Sequence, residues 1–461
     1  MSAVFSDAGF EPIRPVPPEV PPSTFRSLWM ARTDLLSFWS QKAYRMQFFG
    51  RKFINRWVFI ANSPDTVEHV FVTRHENYQR KSPYMRKALK PLIGDGLFIS
   101  EGAKWRSRRA LESPAFHTSH LDRFGEVMRE CAEEVQARWE RDRTGEPFRV
   151  LPDMATLTAR IIGRCMFGDK MDSARSEAMV ADFTRYQAAI EKFDFSSFFG
   201  LPEWWPKMPH GRRTTRAAQG IQDLVDELIL KRFEEGTDDG TLLSMLLRAT
   251  DPESGMGLNL EQVRNEAIVI FMAGHETTAN SLAWTWYLLA MHPQAQQKFH
   301  EELRTVLNGR APTYADVPAL KFTRAIFEES MRLYPPIPAL SRQAIGDDVI
   351  RKREIPAGSI MIVVPWLLHR HERLWEKPHQ FIPERFMPGA PKIDRYAYLP
   401  FSAGPRVCLG KMFGLTEAIL CLAVLGQRFT LSTVPGFNYG YDCRLALRPS
   451  GGLPMYLNPR G

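Results

Sequence analysis

Apolar residues recur at three- and four-residue spacing in EVMRECAEEVQARWERDR (126–143) and GIQDLVDELILKRFEE (220–235). That period predicts helices with one buried face. LNLEQVRNEAIVIFMAGHETTANSLAWTWYLLAMHP (258–293) meets no proline until Pro293. At ~1.5 Å per residue, a helix there could cross a whole domain. ALKFTRAIFEESMRLYPP (319–336) predicts a further helix, stopped by Pro335 and Pro336. LGKMFGLTEAILCLAVLGQRF (409–429) predicts another, beginning directly after Cys408. KFINRWVFI (52–60) and GSIMIVVPW (358–366) are rich in β-branched and aromatic residues and predict strands. Residues 101–330 are mostly helical in pattern, and Pro/Gly-marked turns follow. The Pro-rich stretch 12–22 predicts an extended arm. The expected fold class is mainly α with a smaller β region, divided into an arm over residues 1–25 and one domain over 26–461.

The 461 residues, 44% of them apolar, suffice for a sizeable core. Cys131, Cys165, Cys408, Cys421 and Cys443 are scattered, without a CxxC pair, so neither a disulfide framework nor a zinc site is expected. The first residues hold no basic segment leading into an apolar one, and no run of roughly 18 apolar residues occurs anywhere. A cytoplasmic protein without a transmembrane anchor is expected. The net charge of +8 is spread along the chain, with one dense cluster at KWRSRR (104–109). Nucleic acid is not an expected partner, whereas an acidic protein is.

Candidate chemistry centres on FSAGPRVCLG (401–410). A thiolate at Cys408, at the start of a helix, gains from the free backbone N–H groups there. Gly404, Pro405 and Gly410 shape a tight loop that lets backbone approach a flat cofactor. Arg406 can pair with an anionic group on it. These features suit a metal-bound thiolate better than an inert thiol.

The loop resembles the haem-binding loop of the cytochromes P450, with Phe401, Gly404, Arg406, Cys408 and Gly410 in the family's places. Further motifs strengthen the resemblance, which covers roughly residues 50–455. AGHETT (273–278) is similar to the family's oxygen-activation motif. It implies that Gly274 leaves room for dioxygen, while Glu276 and Thr277 organise water and relay protons. Thr277 can also bond a carbonyl one turn back. HETTA begins like a zinc-protease HExxH but lacks the second histidine. Glu329 and Arg332 (EESMR) with Arg385 (IPERF) resemble a buried network that braces the cysteine loop. Trp105 and Arg109 (WRSRR), Arg342 and Arg406 occupy positions that bind haem propionates in the family.

The resemblance implies a triangular domain with a long central helix, haem b (iron protoporphyrin IX) as cofactor, and Cys408 as axial iron ligand. It implies a monooxygenase that inserts one atom of O2 into an apolar small molecule. Electrons would come from a separate acidic ferredoxin or flavodoxin with its reductase. The alternatives are a peroxygenase, isomerase or dehydratase with the same cofactor, or a haem-based ligand sensor or carrier. Segments 79–99, 190–210 and 337–341 are expected to line the substrate pocket, together with Ile268, Ile270, Phe271 and Ala273. Phe193, Phe195, Phe198, Phe199, Trp204 and Trp205 suggest an apolar lid or a membrane-touching one. Lys81, Arg86, Lys87 and Lys90 are expected in a solvated loop rather than at a substrate carboxylate.

Overall fold

A computed structural model describes residues 10–20, 30, 34–53, 55–142, 145–168, 171–190, 212–236, 238–251, 255–443 and 445–460. The aromatic group at 193–205 lies outside them. The segment read as one strand at 52–60 is a hairpin, β1 (Phe48–Phe53) and β2 (Arg56–Ala61), antiparallel from Phe48↔Ala61 to Phe53↔Arg56. Asn55 turns the chain between them. Helices follow: α1 (Pro83–Ile93), α2 (Gly102–Glu112), α3 (Leu121–Asp142), and, after the short strand β3 (Phe148–Arg149), α4 (Val150–Phe167), α5 (Ser173–Ile190) and α6 (Arg212–Glu235).

The central helix α7 spans Leu260–Met291. Asn259 caps it: its side chain accepts the Gln262 N–H at 2.9 Å, and Gln262 accepts the Asn259 N–H at 3.0 Å. His292, ahead of Pro293, ends it. Most of its residues are buried on all sides, as expected of a helix through the middle of a core. It packs closely on α4, where a Cβ on Gly274 would lie 3.0 Å from Ile162. The Thr158 hydroxyl of α4 also donates to the His275 carbonyl at 2.7 Å.

Helix α8 (Lys321–Leu333) precedes strands β4 (Leu340–Gln343) and β5 (Ile360–Val363). These complete a four-stranded sheet in the order β1–β2–β5–β4, in which β2 and β5 are parallel. Helix α9 (Lys411–Arg428) leads into β6 (Phe429–Thr433), which pairs with β7 (Pro454–Pro459); β7 also pairs with β3. Residues 12–20 of the Pro-rich segment form neither helix nor strand, and they pack against the domain. Pro12 and Pro15 are buried, and the Tyr334 hydroxyl donates to the Ile13 carbonyl at 2.8 Å.

Candidate active site

The loop before α9 is folded tightly on itself. The Cys408 N–H donates to the Phe401 carbonyl at 2.9 Å, and the Val407 N–H to the Gly404 carbonyl at 3.0 Å. Gly404 has φ +71°, and a Cβ there would sit 1.9 Å from the Phe71 carbonyl oxygen. Only glycine satisfies both conditions. Arg109 fastens the loop from α2, donating from Nη1 to the Val407 carbonyl at 2.8 Å.

Cys408 lines a cavity of about 370 Å³, together with Phe401, Arg406 and Gly410. Its accessible surface faces that cavity rather than bulk water. Burial therefore pushes its thiol up, against the pull of the Gly410 N–H, Arg109 and Lys411. Burial thus works against the pull of the helix start toward the thiolate. A bound metal ion would yield the thiolate, because a coordinating thiol loses its proton.

One end of the cavity is cationic. Arg342 is buried with its guanidinium 4.9 Å from the Phe71 ring. Arg406 lies 4.5 Å over the Trp105 ring and donates to the Ser100 carbonyl at 2.6 Å. Burial and then Arg406 push Arg342 down to about 9, and burial pushes Arg406 down to about 10. Glu101, the acid that Arg406 feels, already pairs with Arg80 at 2.6 Å. Lys81 completes the cluster, which corrects its expected place in a solvated loop. Its Nζ lies over the Phe98 ring at 4.2 Å, and burial, Arg342 and Arg406 lower its affinity for a proton. The Arg80↔Gln343 bridge to strand β4 draws this segment inward. Arg86 instead reaches Gln343 Oε1 at 3.2 Å, and Lys90 is exposed. Cations gathered in a largely apolar cavity fit a flat ligand carrying carboxylates at one edge.

Helix α7 forms the opposite wall through Val269, Ile270, Met272, Ala273, Gly274, Glu276 and Thr277. Ile270 and Ala273 are where the sequence reading puts them. Ile268 and Phe271 are not: both are buried on the other side of the helix, where Phe271 stacks on His275 at 5.6 Å. The cavity face repeats at three and four residues, so neighbours in sequence diverge. Thr277 Oγ1 donates to the Ala273 carbonyl at 2.7 Å, the one-turn-back bond expected of it. Glu276 Oε2 accepts from Gln187 Nε2 of α5 at 2.5 Å. The absent Cβ of Gly274 points toward Ile162, so a packing reason for glycine stands beside the oxygen-space one.

Glu329 and Arg332 are fully buried and joined by two 2.7 Å hydrogen bonds. Arg332 also donates to the carbonyls of His369, Pro378 and Gln380 at 2.7–2.9 Å. Arg385 Nε reaches Glu329 Oε1 at 3.5 Å. His369 Nε2 then accepts the Leu399 N–H at 2.8 Å, at the entrance to the cysteine loop. The sequence reading missed Gln187 and Glu112 as cavity residues; Lys81 lies within its pocket segment 79–99, though it was expected to be solvated. Glu112 had a signal: a charged residue one turn from Arg108 on the buried face of α2.

The family model described as "Cytochrome P450" matches residues 15–438. The chain is 34% identical over 411 residues to cyclooctatin synthase of Streptomyces melanosporofaciens, covering 88% of this chain and 87% of that one. It is also 34% identical over 403 residues to cyclooctat-9-en-7-ol 5-monooxygenase of the same organism, covering 87% and 86%. The crystal structure of the cytochrome P450DA heme domain superposes with a TM-score of 0.85 at 28% identity, covering 97% of this chain and 98% of that one.

Proposed function

Because this chain belongs to the cytochrome P450 family and is a haem-thiolate monooxygenase, we propose a residue-by-residue assignment of its site. The cofactor would be haem b, its iron held by Cys408. Lys81, Arg342, Arg406, Trp105 and Arg109 would hold its carboxylate edge. One observation carries this reading: Cys408, the buried cations and the Glu276–Thr277 pair line a single, largely apolar cavity.

When bound, haem supplies the iron at which dioxygen is activated. The chain's own residues do the rest. Phe401 and Gly410 shape the bed beside Cys408. The apolar wall, from Met85, Leu89 and Phe183 to Ile337 and Ala446, excludes water and binds an apolar substrate. Glu276 and Thr277 hold and move protons on the α7 side, while Gly274 permits close approach. Glu329, Arg332 and Arg385 brace the loop and take no part in the chemistry.

The names of the two Streptomyces relatives support a hydrocarbon-rich substrate such as a cyclic alkenol. Electrons come from an acidic ferredoxin or flavodoxin with its reductase, docking where Lys104, Arg106 and Lys411 are exposed. Among the described residues no helix is long and apolar enough to cross a membrane. The scattered cysteines without a CxxC pair suit a reducing compartment, and we assign the enzyme to the cytoplasm. Residues 26–461 constitute the haem domain, with residues 1–25 as its arm.

The test is the reduced-plus-CO difference spectrum of the purified protein beside Cys408→Ser. The expected result is the thiolate-type Soret band in the wild type and its loss in the variant. A spectrum of histidine-ligated haem, or none at all, would overturn the assignment. Apolar alkenols are then expected to shift the iron spin state.

A further inference from the structure

Helices α2 and α7 meet through charged side chains that this chemistry leaves without a task. Glu112 and Glu266 are fully buried, and Arg108 is nearly so. Glu266 accepts the Leu97 N–H at 2.8 Å and pairs through Oε1 with Arg108 Nη1 at 3.0 Å. Glu112 lies against Glu266 and lines the cavity. Neither of its carboxyl oxygens receives an N–H or O–H from the described residues. Arg108 and Arg109 are the cations that face it, and Arg109 gives its Nη1 to the Val407 carbonyl.

Two touching carboxylates in a dry wall cannot both ionise beside one directly paired arginine. A single shared proton removes the excess charge and gives Glu112 a hydrogen-bond partner. Burial, reinforced by Glu266, pushes Glu112 up to about 9. Lys104, bonded to the exposed Asp95 at 2.7 Å, holds the Asp95 carboxyl low, with a smaller pull from Arg108.

We propose that Glu112 and Glu266 share one proton and form a second proton donor to the cavity, separate from the Glu276–Thr277 pair. Monooxygenation consumes two protons and two electrons per dioxygen, giving one oxygenated product and one water; the redox partner supplies the electrons. In the step assigned to the pair, the Glu112 O–H bond breaks and its proton passes to an acceptor in the cavity. The Glu112 carboxylate then takes up one proton from water reaching the cavity, and the pair undergoes no redox change. The donor role rests on the monooxygenase reading, whereas the shared proton does not.

Infrared spectra of the holoenzyme at neutral pH test the proton directly. The expected result is a protonated-carboxyl stretch that shifts in D2O and is absent from Glu112→Gln. With a surrogate ferredoxin and reductase, dioxygen consumption by this variant is expected to fall about tenfold with a larger solvent isotope effect, while the thiolate-type CO band is retained. Glu266→Gln, which removes the other member, is expected to behave alike. Absence of the stretch in the wild type, or its persistence in both variants, overturns the shared proton. Its loss with unchanged consumption and isotope effect overturns the donor role. A wild type lacking the CO band would strike the haem assignment instead and leave the infrared result standing.

Discussion

Gln187 Nε2 on α5 donates to Glu276 Oε2 on α7 across 2.5 Å. A side chain outside the AGHETT segment therefore positions the acid inside it. A hydrogen bond to a charged group contributes about 1.5–3 kcal/mol. Gln187→Leu is expected to lower kcat by about tenfold and to raise KM much less. Steady-state kinetics with product quantified per electron pair checks this; a KM effect alone would reduce Gln187 to a pocket wall.

Arg332 places its guanidinium among Glu329 and three backbone carbonyls, so its bonds span segments that are otherwise far apart in sequence. Removing one partner of a buried pair costs about 3–5 kcal/mol. Glu329→Gln is expected to show that loss in urea unfolding and to purify with little haem. A variant of wild-type stability would contradict the bracing role.

Gly404→Ala forces a Cβ against the Phe71 carbonyl at a left-handed backbone position. Strain plus the clash is expected to cost at least about 2–3 kcal/mol. The thiolate-type CO band is expected to give way to a degraded or absent spectrum. Pro405→Ala, next door and exposed, serves as the tolerant control.

Stability is expected to fall with acid through His369. It is fully buried, and burial, Arg332 and Arg370 push it down to about 3. Unfolded, it titrates near the ordinary value of about 6.5. Between these values the unfolded chain binds a proton that the folded chain refuses. Stability therefore drops as pH falls through that window, by about 1.4 kcal/mol per pH unit at most. His275, pushed to about 4 by burial, acts with the same sign. His369→Gln keeps an acceptor for the Leu399 N–H and is expected to flatten the pH dependence, measured by urea unfolding at pH 7, 5.5 and 4.5.

Long helices were the most legible part of the chain. Helix α7 lies within two residues of its expected span because its cap and Pro293 are local signals. Cys408, Arg406 and Thr277 were legible because their spacing is fixed by one loop or one helical turn. Lys81 was not, because its burial depends on a bridge to Gln343, more than 250 residues away. Ile268 and Phe271 went wrong through helix phase: a helix apolar on all sides does not declare which side faces the cavity. Glu112 left only a faint local trace, its place one turn from Arg108; that α2 meets α7 at Glu266 is a tertiary fact.

The parallel pairing of β2 with β5 sets a timetable for synthesis. Val58 pairs with Ile360 and Ala61 with Val363. A ribosome adding about 5–20 residues per second takes roughly 15–60 s to bridge that gap. Until then one edge of the β1–β2 hairpin waits without its partner strand, and waiting edges invite intermolecular pairing. The loop bearing Cys408 emerges later still. Slow production and early haem supply are therefore conditions under which this chain should accumulate in folded form, and fast production should favour aggregates.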